Sequence, residues 1–142
     1  PASEPGRSFL DNAPGTLSYG KRLWTNGLKF GSWNVRTLNN PGTLTTLDEE
    51  LKTYRMHVVA LQEMRWPNDG CYKAKHYTYF YSGNKTGKKE FGVGFAVSNN
   101  IRGIVKEFKP INERLCAIRL QGKFNNISAI SLHAPTEEKE EE

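Results

Sequence analysis

Three short segments place polar groups directly after apolar, strand-like runs: Ser32-Trp33-Asn34-Val35-Arg36, Leu61-Gln62-Glu63-Met64-Arg65-Trp66 and Ser131-Leu132-His133-Ala134-Pro135-Thr136. An amide, a carboxylate and an imidazole are groups that hold cations and phosphates or move protons. In α/β folds such groups collect at the C-terminal ends of strands, where loops carried by a rigid sheet converge. Taken singly, each residue has an ordinary alternative. Asn34 suits a strand-end turn, Glu63 a solvated loop, and His133 a satisfied structural position.

The elements that must position these residues can be read from hydrophobic spacing. Leu28 to Asn34 alternates as a strand, with Leu28 and Phe30 on one face. Pro41-Gly42 reads as a turn and Thr43 as a helix N-cap. Leu44, Leu47, Leu51 and Tyr54 then recur at helical spacing, with Asp48 and Glu49 early and Lys52 and Arg55 late, as the helix dipole favours. Val58-Val59-Ala60-Leu61 is a continuous apolar run, the mark of a strand buried on both faces. Tyr77 to Tyr81, Phe91 to Val97, Ile101 to Phe108, Leu115 to Leu120 and Ile127 to Leu132 read as further strands. Gly92, Gly94 and Ala96 give the second of these a nearly bare face, which a second sheet is expected to cover. The order strand, helix, strand, then linked strands predicts a mixed α/β sheet with a helix on one face.

The 142 residues have room for one domain, and 7 Phe, 6 Tyr and 3 Trp can anchor its core. Residues 1–27, rich in proline and glycine at their start, read as a flexible leader without the apolar stretch of a secretory signal. No run approaches the ~18 apolar residues of a membrane span. Cys71 and Cys116 are too few and too far apart for a disulfide framework or a zinc site. Free thiols in a reducing, intracellular compartment are the expectation. Glu137 to Glu142 carry a net charge of −4, so the remaining 136 residues carry +9 of the total +5. A body so basic favours polyanions such as nucleic acid. Arg65, Lys73, Lys75, Lys85, Lys88 and Lys89 interleave with Trp66, Tyr72, Tyr77 and Tyr79, a pattern shared by nucleic-acid surfaces and by solvated amphipathic hairpins.

Read together, the segments resemble the endonuclease/exonuclease/phosphatase superfamily, most closely the RTE-like endonucleases of non-LTR retrotransposons. The resemblance rests on Trp33-Asn34-Val35-Arg36-Thr37-Leu38, Leu61 to Trp66, Gly92-Val93-Gly94-Phe95-Ala96-Val97 and His133-Ala134-Pro135-Thr136-Glu137, which stand in the family's order. It covers Leu28 to about Glu138, the N-terminal half of the family's domain. It implies half of a four-layer α/β/β/α sandwich within residues 28–142, and descent from a magnesium-dependent enzyme that hydrolyses DNA phosphodiester bonds.

By position, the resemblance makes Glu63 the carboxylate ligand of Mg2+, with Asn34 beside it at the metal or the scissile phosphate. It makes His133 a phosphate contact where many members carry tyrosine, and Arg65 a residue that orients Glu63 or touches DNA. Arg36, Lys85, Lys88 and Lys89 complete the expected nucleic-acid contacts. The family's Gly-Asp-x-Asn and Asp-His elements do not occur in this sequence. A truncated domain, inactive alone, is therefore expected, with DNA as partner and another chain as a source of the missing half. A DNA substrate implies nuclear action. The alternatives are a non-catalytic remnant that binds nucleic acid or protein and, more distantly, a phosphatase-branch member of the superfamily.

Overall fold

Strand β2 (Val58–Gln62) is the axis of the fold. Its pleat sends Val58 and Ala60 to one side and Val59 and Leu61 to the other, and both sides are packed. In the computed structural model, which describes residues 27–134, β1 (Phe30–Asn34) pairs parallel with β2. The connection between them carries helix α1 (Pro41–Thr53), as a parallel pair requires a crossover. Strands β3 (Asp69–Lys73), β4 (Tyr77–Ser82) and β5 (Val93–Ser98) add antiparallel, giving the order β1-β2-β5-β4-β3. A 3₁₀ segment, Asn99–Ile104, leads to a second, antiparallel sheet of β6 (Val105–Asn112), β7 (Leu115–Leu120) and β8 (Ile127–Leu132). The expected leader, apart from Gly27, and the acidic end lie outside the described residues.

The result is three layers: helix, five-stranded mixed sheet, three-stranded sheet. This bears out the α/β reading and part of the expected sandwich. Leu47 and Leu51 of α1 meet Val59, Leu61 and Ala96 on one side of the large sheet. Val58, Phe95 and Val97 meet Cys116, Ile118 and Leu120 of the small sheet on the other. Each such fully buried aliphatic side chain contributes about 1.5–3 kcal/mol. The helix packs its predicted stripe, except that Tyr54 at its end stands exposed. Among the described residues no helix is long and apolar enough to cross a membrane.

Several expectations need correction. The helix begins two residues before Leu44's predecessor Thr43, with Pro41 at its first turn and Asn40 as N-cap, its side chain accepting from the Gly42 N–H at 3.0 Å. Proline's fixed φ suits a first helical turn as well as it suits a turn. Ile101 is not in a strand; the 3₁₀ segment occupies Asn99–Ile104 before β6 starts. The polar edge strand β3 went unforeseen because four of its five residues are exposed and no apolar pattern marks it. The bare face of β5 turns toward the helix side rather than the second sheet. A Cβ on Gly94 would lie 2.2 Å from the Phe80 carbonyl oxygen and 2.7 Å from the Met64 sulfur, so the absent side chain is what lets β4 and Met64 close in. Val93, Phe95 and Val97, the bulky face, meet the second sheet.

Asp48 takes a part that its place in the helix did not announce. It is 3% exposed, and its carboxylate accepts from the backbone N–H groups of His76 and Tyr77 and from the Tyr79 hydroxyl. The Tyr77 hydroxyl in turn donates to the carbonyls of Leu51 and Met56 at the helix end. Helix and sheet are therefore tied by polar contacts inside an apolar interface. Asp48→Ala leaves three donors, two of them buried, without their acceptor and is expected to cost about 3 kcal/mol, read as a lowered denaturation midpoint. Asp48→Asn, which keeps one oxygen, should cost less.

The same burial sets an alkaline limit. Burial, with the charge of Asp48, pushes the Tyr77 and Tyr79 phenols well above their ordinary value of 10.0, and burial pushes the Cys116 thiol from 9.0 up to about 12. Below pH 9 these groups are protonated in folded and unfolded chains alike. Above it the unfolded chain releases protons first, so stability falls as pH rises. Thermal melts from pH 7 to pH 11 should show a progressive decline beginning at about pH 9. A flat profile across that range contradicts the burial of these groups.

Candidate active site

The parallel register sets Asn34 opposite Gln62, so β1 and β2 end together and release Val35 and Glu63 side by side. The Asn34 amide nitrogen donates to Glu63 Oε2 at 2.6 Å, and its amide oxygen accepts from the Arg36 N–H at 3.1 Å. Arg65 Nη2 lies 3.2 Å from Glu63 Oε1. The hydrogen bond from Asn34 holds the Glu63 carboxyl below its ordinary range. Partial burial opposes this, while the Arg65 hydrogen bond and the charges of His133 and Arg65 reinforce it. Glu63 is thus an ionised carboxylate with each oxygen steadied by a different donor.

The loops that carry these residues are pinned to one another. Leu38 N–H donates to Met64 O, Met64 N–H to Gly92 O, Arg65 N–H to Phe91 O, and Gly92 N–H to Glu113 O. Arg36, Glu63, Arg65 and Phe91 all have left-handed φ, between 56° and 65°. Gly92 has φ 94°, and a Cβ there would stand 3.0 Å from the Arg65 nitrogen. Left-handed backbone is costly for side-chain-bearing residues and persists only where surrounding contacts fix it. Here it turns Glu63 out of the strand line and lets Arg65, two residues on, reach back to it.

The second sheet delivers His133. Ser131 of β8 is buried, donates to Leu61 O at 2.9 Å and accepts from Gln62 Nε2 at 3.3 Å. Gln62 Nε2 also donates to Ser32 Oγ at 3.2 Å. Three strands are clamped at the same end as Glu63, and His133 follows two residues after the clamp. Its N–H donates to Arg114 O, and Arg114 Nη1 donates to His133 O. The Arg114 guanidinium covers the Phe91 ring at 4.2 Å, and the His133 ring lies 6.0 Å from the same ring. His133 Nδ1 is buried with no hydrogen-bond partner among the described residues.

All three residues singled out in the sequence therefore stand at one end of the two sheets. Of the residues that position them, Gln62 and Ser131 fall inside the quoted segments but were given no role there, and Phe91 and Arg114 were not singled out. A serine at an inward position of the alternating β8 was the one available signal; nothing in the sequence marks Arg114. Lys85, Lys88 and Lys89 belong to the β4–β5 loop, at the same end because Ser82 and Gln62 both face Val93. All three are exposed, as is Arg36, and Lys85 lies 3.6 Å from Asp69. Lys73 and Lys75 fall at the opposite end, and Tyr77 and Tyr79 are buried, so the basic–aromatic pattern is not one surface. Only Tyr72, 51% exposed, and part of Trp66 remain open to a ligand.

The donors suit a hard cation in kind, since a carboxylate and an amide oxygen are what Mg2+ prefers. They are few. No group of three or more His, Cys, Asp or Glu side chains that could hold a metal occurs among the described residues. Cys71 and Cys116 are free thiols.

Comparison with known sequences gives the family of the chain. A sequence model of the Endonuclease/Exonuclease/phosphatase family matches residues 31–130, from β1 into β8. Craniofacial development protein 2 of Bos taurus is 29% identical over 112 residues, covering 79% of this chain and 19% of that protein. The protein of the same name from Tragulus javanicus is 28% identical over the same shares. The chain thus spans under a fifth of the length of the curated relatives it matches. With the match covering most of the chain, and Asn34 and Glu63 paired at the ends of its first two strands, the chain belongs to the endonuclease/exonuclease/phosphatase family.

Proposed function

We propose that Asn34, Glu63 and His133 form one side of a magnesium-dependent site that hydrolyses DNA phosphodiester bonds. The observation that carries this reading is the Glu63 carboxylate, kept ionised at a strand end by Asn34 and Arg65. Glu63 would hold the ion with Asn34 beside it, and a bound Mg2+ supplies Lewis-acid stabilisation of charge on the phosphoryl oxygens. Arg65, whose side chain is 43% exposed, keeps further N–H donors for a phosphate while it orients Glu63. His133, fixed by Arg114, offers an imidazole on the same side. Arg36 and the lysines of the β4–β5 loop attract the DNA backbone. Such a role is related to that of retroelement endonucleases and belongs in the nucleus.

This half-site does not by itself activate water. The groups that take the proton and aim the nucleophile are to come from further polypeptide, in the same chain or in a partner that completes the domain. Residues 1–142 alone are therefore expected to be silent in supercoiled-plasmid nicking with Mg2+, no faster than Glu63→Ala. Losing members of a catalytic unit costs on the order of 10³-fold or more. Faster nicking by the parent than by Glu63→Ala overturns the claim that the site is incomplete.

Binding without cleavage is a second reading, favoured by the exposed cationic loop at the end of the sheet that carries Glu63. Both readings share one expectation. Fluorescence anisotropy with duplex DNA should give an affinity that falls steeply with salt, and Lys88→Ala with Lys89→Ala should lower the log–log slope by about 2. Salt-insensitive binding, or a slope unmoved by the double substitution, removes that loop from the DNA surface.

A further inference from the structure

At the end of the large sheet remote from Glu63, a cavity of about 510 Å3 is lined by Lys52, Arg55, His57, Lys75, His76 and Asn99, among others. The five residues of β2, six Cα steps, separate His57 from Glu63, so the two places lie about 20 Å apart. That is more than twice the screening length of about 8 Å at physiological salt, so neither reports on the other electrostatically. We propose that this cavity is a phosphate-binding site, distinct from the Glu63 end.

Its cations come from separate parts of the chain. Lys52 lies in the last turn of α1, Arg55 follows the helix, and Lys75 belongs to the β3–β4 turn. Among the described residues none of the three is ion-paired, and no carboxylate lines the cavity. The neighbouring Glu49 is engaged with His76 Nε2 at 3.0 Å. The turn that carries Lys75 is held in place by Asn99, whose amide donates to the carbonyls of Ala74 and Lys75. His57 accepts the Lys29 N–H on Nδ1 at 2.8 Å, which fixes its ring in the cavity wall. Lys52, Arg55 and Lys75 are exposed and line one cavity, and the nearby carboxylates of Asp48 and Glu49 are taken up by His76 and Tyr77, so a multivalent oxyanion can engage all three cations at once.

The helix dipole gives a simpler account of Lys52 and Arg55, since cations suit a helix C-terminus. It does not account for Lys75, nor for the backbone of Arg55. Arg55 N–H bonds to Lys52 O and Met56 N–H to Leu51 O, the pattern of a Schellman cap whose left-handed residue is Arg55, at φ 58°. Glycine fills that position at least cost. An arginine there is disfavoured by the backbone and placed by it at the cavity mouth. The volume admits a phosphate group, with or without a nucleoside attached.

Calorimetric titration of the whole 142-residue chain with inorganic phosphate, against chloride at matched ionic strength, tests the site. Saturable binding of phosphate to the parent is expected, weakened about tenfold in each of Arg55→Gly and Lys75→Gln, as befits one charge-assisted hydrogen bond. Arg55→Gly should also raise the melting temperature, which shows that its lost binding is not lost folding. Glu63→Gln should bind phosphate as the parent does, so failure at one end is distinguishable from failure at the other. A twelve-nucleotide single strand, measured by anisotropy, identifies the source. A parallel loss in both variants names a nucleic-acid backbone, and a loss confined to inorganic phosphate names a small phosphate ligand. Phosphate acting no differently from chloride, or binding equally to the parent and both variants, overturns the proposal.

Discussion

Because β2 is covered on both faces, it can carry polar side chains only where it ends. Helix α1 and Tyr79 close one side and the second sheet closes the other. An unpaired charge inside such a strand would cost several kcal/mol, so Gln62 and Glu63 fall at its exit. The parallel partner β1 is only partly buried, and its register with β2 sets Asn34 at the same level, opposite Gln62. The site's first contact, amide to carboxylate, is a consequence of how the sheet excludes water from its middle.

Strained backbone then gathers at that exit. Arg36, Glu63, Arg65 and Phe91 are left-handed without being glycine, each at a cost on the order of 1 kcal/mol or more. Four inter-loop backbone hydrogen bonds fix the segments that contain them. The clamp of Ser32, Gln62 and Ser131 joins the two sheets at the same level. Fixing matters because a carboxylate free to rotate would lose part of whatever affinity it has for a cation.

How much of this could be read in the chain beforehand follows from the range of each contact. β7 and β8 match their forecast bounds because alternating apolar residues are a local signal. β2 was legible as a doubly buried strand for the same reason. β3 was not, because an edge strand paired only with β4 needs no apolar face. The orientation of β5 was misjudged because alternation reveals two faces without saying which neighbour each will meet. Asn34, Glu63 and His133 were found through phrases that each sit next to a strand. The Gln62–Ser131 contact spans 69 residues and Asp48–Tyr79 spans 31, and no local pattern announces either.

The place of β1 in the sheet has an effect on how the site moves. Among the described residues β1 lies at the sheet's edge and is hydrogen-bonded on one side only, while β2 is held on both. Edge strands release their backbone amides to solvent through smaller openings than central ones do. Asn34 therefore rides on the more easily detached of the two strands, and Glu63 on the more firmly anchored. When β1 lifts, Glu63 loses the amide but keeps Arg65, and its Oε2 is uncovered while the carboxylate stays in position. Breathing of a single edge strand would thus expose one carboxylate oxygen to solvent without unmaking the rest of the sheet.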